Sequence, residues 1–383
     1  MLLDLRERYG RVPSADEERK KYAFASKVYA GSYWAQLEKL GGEMVWRFIA
    51  KRSLVALLQL IGISLVVFFL VRGLDADPVA RIVGLNATEE AVKQATEALG
   101  LHEAKVQQLA NYLGIFSSSG DPGILQGTLG ESWVTGSPIL EEVTRFLPIT
   151  LELITYALIL AFLLAMPLGM SSGTRPGGLA DRFTFVWGLF AGSQPEFWWG
   201  LMFVFVFFFV FQQAGWPAAP APLGRLDPFL TAPESITGFI LIDSLIRGRI
   251  DVFLDAAHHL MLPVFTLVFV VSGPIVKMVR QNMLRVLRSD YILYARSAGL
   301  PRQKVARYAL RAALAPAMTL TAIIYGFLLG GAVPVELIYS LGGIGEYSIR
   351  SILNLDFPAI QGTVLVIAIV SLVIYLAIDI LHA

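Results

Sequence analysis

Apolar residues along this chain fall into six long runs separated by polar stretches. The runs start near Phe48, Leu147, Phe183, His258, Met318 and Thr363. They end near Val71, Met170, Gln212, Val279, Ile338 and Leu381. Each is long enough for a helix to cross a hydrocarbon layer of roughly 30 Å. The expected fold is therefore an all-α polytopic membrane protein with six transmembrane helices. The polar stretches divide it into an N-terminal extension (1–46), a first transmembrane helix (47–72), an external insertion (73–147) and a core (148–383).

Charge orients the spans. Arg47, Lys51 and Arg52 precede the first run, Arg175 and Arg182 follow the second, and Lys277, Arg280 and Arg285 follow the fourth. These segments alternate with the insertion at 73–147, where acids such as Asp77, Glu89, Glu90, Glu97 and Glu103 outnumber bases. Basic excess marks the cytoplasmic side, so both termini are expected inside and the insertion outside.

Shorter elements are legible too. Thr88 opens a helix that Gly100 closes. Residues 236–246, ITGFILIDSLI, are apolar but short and broken by Asp243, so an external or interfacial helix is expected. A short helix over Gly345–Leu353 is expected at the outer face. In the extension, Ser14 and Asp16 are candidate caps. Tyr22, Phe24, Tyr29, Tyr33 and Trp34 interleave with lysines, which suits a helix at the headgroup surface or a solvated extension. No early apolar core of a cleavable signal peptide is present.

Composition agrees and excludes. The chain has 383 residues, 55% hydrophobic and 16% charged, with mean hydropathy +0.62. A net charge of +1 gives no basic balance for nucleic acid, and the absence of Cys removes disulfides and thiolate chemistry. There is no G-x-x-x-x-G-K-[ST] and no H-E-x-x-H, so nucleotide cradling and this metal-dependent hydrolase route lack their residues, and no Ser elbow with a plausible His partner is found. His258 and His259 stand before Leu262-Pro263 without a third partner, and they read as interfacial polar residues rather than metal ligands. Catalytic residues and a metal site are accordingly not expected.

The densest polar feature between apolar runs is Ser289 to Pro316, SDYILYARSAGLPRQKVARYALRAALAP. Ser289 and Asp290 make a helix start, Gly299 and Pro301 a stop, and a second helical run follows from Arg302 to Pro316. Asp-Tyr-x-x-x-Ala-Arg-x-x-Gly-Leu followed by basic residues resembles the Glu-Ala-Ala loop of ABC-importer permeases, in its dipeptide/oligopeptide version. Leu293 and Tyr294 stand where the loop's Glu is usual. Other partial matches occur in the same order: DADPV at Asp75, GTLGES at Gly127, PEFW at Pro195, Gly331-Ala332 with Glu336 and Gly343-x-Gly345, and DFPAIQG at Asp356. The chain stops at Ala383, before the Asp-Pro-Arg tail usual in that family.

The resemblance implies a type I ABC importer permease fold, with coupling helices at 289–314 that dock on an ATPase subunit. Asp290, Tyr294, Ala295, Arg296, Gly299 and Leu300 would form the coupling surface. It also implies partners: a homologous second permease, two ABC ATPase subunits that hold the ATP and Mg, an external solute-binding protein and membrane lipid. This chain itself would bind no cofactor and catalyse nothing. The location expected is a prokaryotic inner membrane.

Glu152, Glu196 and Glu336 are the acidic residues near the membrane and the candidates for the translocation pathway. Glu152 and Glu336 read equally as structural contacts to neighbouring helices. Di- or oligopeptide is the expected cargo. Nickel chelates, haem, oligosaccharides and glutathione are carried by relatives of that family. A passive channel or a membrane-embedded enzyme are the readings from other classes.

Overall fold

The computed structural model describes residues 47, 49–73, 77–84, 86–115, 123–215 and 223–382. The expected helix after Ser14, the Asp75–Ala76 positions and the Pro-rich stretch 216–222 lie outside the described residues. Among the described residues the protein is helical, with one isolated strand-like bridge between Glu131 and Pro138.

Six helices are long and apolar enough to cross a membrane. They are α1 (Ile49–Gly73), α5 (Ile139–Thr174), α7 (Glu196–Gln213), α9 (Ile250–Val286), α11 (Arg302–Gly331) and α14 (Phe357–His382). Between α1 and α5 stand α2 (Pro78–Val83), α3 (Glu89–Ala98) and α4 (Lys105–Leu113). The remaining short helices are α6 (Leu179–Ala191), α8 (Ile240–Ile246), α10 (Asp290–Ser297), α12 (Val333–Tyr339) and α13 (Ile344–Leu353). Thr88 caps α3 by accepting from the Ala91 amide, and Gly100 follows its end with φ 66, as the sequence implies.

Two compact units are present: residues 1–59 with 379–383, and residues 60–378. In the first, residues 49–59 form the opening turns of α1, with Leu54, Leu57 and Leu58 exposed. In the second, α9 is the central helix. Its apolar stretch is 78% buried, against 6% for α7. Helix α5 lies along it because Gly169 and Gly173 leave no side chain between them. A Cβ on Gly169 would sit 2.6 Å from Val279 Cβ, and one on Gly173 would sit 2.5 Å from Met283 Cβ. Small residues four apart let two membrane helices approach closely.

Three boundaries differ from the sequence reading. The third apolar run is not one helix: α6 ends at Ala191 and α7 starts at Glu196, with Gly192–Pro195 unwound between them. Proline cannot continue the ladder, and Pro195 becomes the cap residue of α7. The run from Arg302 does not end at Pro316. Helix α11 continues through it to Gly331, since the last apolar turns hold it on both sides of the missing bond. The fifth span then breaks at Ala332, and residues 333–339 form the separate helix α12.

The insertion is anchored in the second unit. Arg72 Nε donates to Gln108 Oε1 at 2.7 Å, and the guanidinium lies 4.1 Å from the centre of the Phe68 ring. Tyr112 packs beside that ring.

Candidate functional site

The segment singled out by sequence folds as helix, tight turn, helix. Ser289 has the extended backbone of a cap residue, but its hydroxyl donates to the Val286 carbonyl at 2.6 Å and accepts from no amide in the first turn of α10. The position was legible; the hydrogen bond was not, because the preceding helix offers a nearer acceptor. Its backbone carbonyl instead accepts from the Ile292 and Leu293 amides.

The turn needs its glycine. Gly299 has φ 74, its amide donates to the Arg296 carbonyl, and the Leu300 amide donates to Ala295. Left-handed backbone and the paired return bonds are the usual helix stop, and Pro301 then opens α11 in extended conformation. Buried Val305, Ala309, Ala313 and Ala317, spaced by four, seat α11 on the core, while Arg302, Lys304, Arg307 and Arg311 are exposed.

Burial divides the six coupling candidates. Asp290, Tyr294, Arg296 and Gly299 are exposed, with Tyr294 at 77%. Ala295 and Leu300 are half-buried against the main core, alongside fully buried Ile292. The latter three seat the helix. The free face carries Tyr291, Leu293 and Tyr294, all more than half exposed. With Arg288 and Arg296 exposed on either side, these large apolar side chains make the free face of α10 an exposed apolar patch.

Asp181 ties α6 to its neighbours. It receives Arg280 Nε at 2.5 Å and Nη2 at 3.1 Å, the Ser172 hydroxyl, and the Gly177 amide at 2.8 Å. The Arg280 hydrogen bond, then the Gly177 amide and Ser172, hold its carboxyl well below the usual carboxylate range against the opposing effect of burial.

The three candidate pathway acids are not brought together. Glu152 is fully buried, pairs with Arg225 and accepts from the Leu241 amide at 3.0 Å. That pair fastens the segment before α8 to α5. The same segment is organised by Asp243, which accepts from the amides of Ile236, Thr237 and Gly238. Burial pushes the Asp243 carboxyl up, and the Thr237 hydroxyl and these amides together hold it lower.

Glu336 is also fully buried. It receives the Thr150 hydroxyl and the Glu346 amide, while Thr150 receives the Ile344 amide. Gly343 and Gly345 admit it: a Cβ on either would stand 2.5 Å or 2.9 Å from Glu336 Oε2. So Glu152 and Glu336 serve structural contacts between elements. Glu196 differs. It stands in the first turn of α7, half-buried, with no bonded partner among the described residues.

His259 Nδ1 lies 3.0 Å from the Asp255 carbonyl oxygen and 3.3 Å from its carboxylate. Among the described residues no group of three His, Cys, Asp or Glu side chains stands ready to hold a metal. Sequence reasoning passed over Arg225, Asp181 and Thr150, whose partners lie far off in the chain and carry no local signal.

Comparison with known proteins gives two adjoining matches. Residues 165–383 match the model of the binding-protein-dependent transport system inner membrane component, and residues 44–154 match the N-terminal model of the same membrane component. The chain is 34% identical to the probable D,D-dipeptide transport system permease protein of Escherichia coli strain K12, covering 88% of this chain and 95% of that one. It is 35% identical to the di/tripeptide transport system permease protein of Pseudomonas aeruginosa, covering 88% and 96%. It is 29% identical to the oligopeptide transport system permease protein of Bacillus subtilis, again covering 88% and 96%.

Proposed function

From the premise that this chain belongs to the binding-protein-dependent transport system inner membrane component family, as a multi-pass permease, we propose that it is one transmembrane subunit of an ATP-driven importer of di- or oligopeptides. The family supports the permease role, and the names of the relatives support a peptide cargo. Two ATPase subunits bind ATP and Mg, and one of them docks on α10. A second permease completes the pathway, and an external solute-binding protein delivers the peptide. Both termini face the cytoplasm, and this chain performs no catalysis of its own.

The single observation that carries the docking is the division of α10: Ile292 fully buried beneath, Tyr291, Leu293 and Tyr294 exposed above. A lever needs both, a seat that transmits force and a face that receives it. ATP binding must favour one conformation of the permease over the other, and contact without that difference shifts nothing. The test is co-purification from the native membrane with a tag on this chain. Two ATPase chains and a second permease are the expected companions. Recovery of this chain without any ATPase overturns the reading.

A further inference from the structure

The unwound stretch between α6 and α7 lies against the middle of α9. Trp187 and Trp199 flank it, and both rings pack on Phe269 with centroids 4.5 Å apart. Phe269 lies midway along the uncharged stretch of α9 between His259 and Lys277. At 1.5 Å per residue it is about 12 Å from the Lys277 end and about 15 Å from the His259 end. Trp187 Nε1 donates to Ser272 one turn farther on, and Gly188 approaches Gly273. The break is therefore level with the middle of α9's uncharged stretch, the part of that helix suited to the hydrocarbon layer.

Its composition does not suit lipid. Gly192, Ser193, Gln194 and Pro195 are exposed, and Glu196 follows, half-buried and without a bonded partner among the described residues. The indole N–H of Trp199, one turn on, has no acceptor there either. Non-helical backbone at this depth is tolerated only against protein or a water-filled cavity. An ionisable side chain there marks a substrate or ion path.

We propose that Ser193, Gln194 and Glu196 form a polar notch on the aqueous translocation pathway, and that Glu196 receives the ammonium group of the passing peptide. This rests on the importer reading. A carboxylate amid neutral hydrogen-bonding groups recognises a primary ammonium by charge, and the amide and hydroxyl beside it share the remaining donors. Glu152 and Glu336 cannot serve this role, because their oxygens are engaged in fixed contacts.

The chain contains no cysteine, so single Cys variants report cleanly. In the assembled transporter reconstituted in vesicles, Ser193→Cys and Gln194→Cys are labelled with a charged thiol reagent, beside Phe185→Cys on the exposed apolar face of α6. The notch residues are expected to react at least tenfold faster. A dipeptide with a free amino terminus is expected to slow labelling of Ser193→Cys, and its N-acetylated counterpart is not. Glu196→Gln is expected to abolish that protection and reduce peptide uptake about tenfold, with ATP hydrolysis retained and Glu196→Asp largely restoring both. Labelling no faster than Phe185→Cys means that a neighbouring subunit covers the break, and it overturns the proposal. So does equal protection by both peptides, or uptake unchanged in Glu196→Gln. Any of these with ATPase subunits still co-purifying overturns the notch alone; loss of those subunits overturns the importer reading beneath it.

Discussion

The Ser132 hydroxyl donates to the Asp356 carboxylate at 2.5 Å across 224 residues of sequence. The Trp133 and Ala359 amides donate to the same carboxylate, which is 3% exposed. The insertion between α1 and α5 is thereby fastened to the start of α14. Asp356→Ala strips acceptors from two amides and a hydroxyl. A loss of roughly 2–3 kcal/mol is expected, against about 1 kcal/mol for Ser132→Ala. Thermal melting of the purified assembly checks the ranking, and equal melting of wild type and Asp356→Ala would refute the contact's weight.

The cradle around Glu336 separates two kinds of glycine. Gly342 has φ 71 and open space where a Cβ would stand, so Gly342→Ala costs backbone strain alone, about 1 kcal/mol. At Gly345 a Cβ would meet Val333 Cα at 3.0 Å as well as Glu336 Oε2. A backbone atom cannot turn aside, and the carboxylate is held by Thr150 and Glu346. Gly345→Ala is expected to cost more, up to about 3 kcal/mol. Melting of the two variants side by side measures the difference.

Such contacts explain what the sequence could and could not disclose. The spans were legible because hydrocarbon thickness imposes a length that shows in any one run. GTLGES and DFPAIQG were visible as separate patterns, but nothing local said that Ser132 of one meets Asp356 of the other. Glu152 was legible as an acid needing a partner. Arg225 was not, since it comes from a loop 73 residues on. Prolines misled in both directions: α11 passes through Pro316, whereas Pro195 marks a true break. Flanking packing decides between them, and packing is a property of the fold. The turn at Gly299, set by backbone conformation within a few residues, was readable outright.

Asp181 gives a pH dependence of known sign. Its folded-state carboxyl is held below the usual range, so its stabilising effect is fully present above the unfolded value of about 3.9 and fades as pH falls below it. The melting difference between wild type and Asp181→Asn is therefore expected to stay constant from about pH 8 to pH 5. It should shrink only under stronger acid. A difference that vanished between pH 7 and pH 5 would assign the effect to another group.

Ile292 and Tyr294 occupy opposite faces of the same two turns, one fully buried and the other 77% exposed. Ile292→Ala removes packed methylenes, and a stability loss of about 2–4 kcal/mol is expected. Tyr294→Ala touches little within this chain and is expected to leave melting within about 0.5 kcal/mol. Transport should respond the other way round. Tyr294→Ala is expected to reduce peptide uptake at least tenfold while the chain still inserts. Gly299→Pro cannot adopt φ 74 and loses the amide that donates to Arg296, so it too should break coupling. Charge reversal at Arg296 and Arg302 attacks the rim of the same surface. Uptake and ATP hydrolysis measured together in vesicles decide the matter: hydrolysis detached from uptake places the lever here, and full transport by Tyr294→Ala and by the charge-reversed variant removes it.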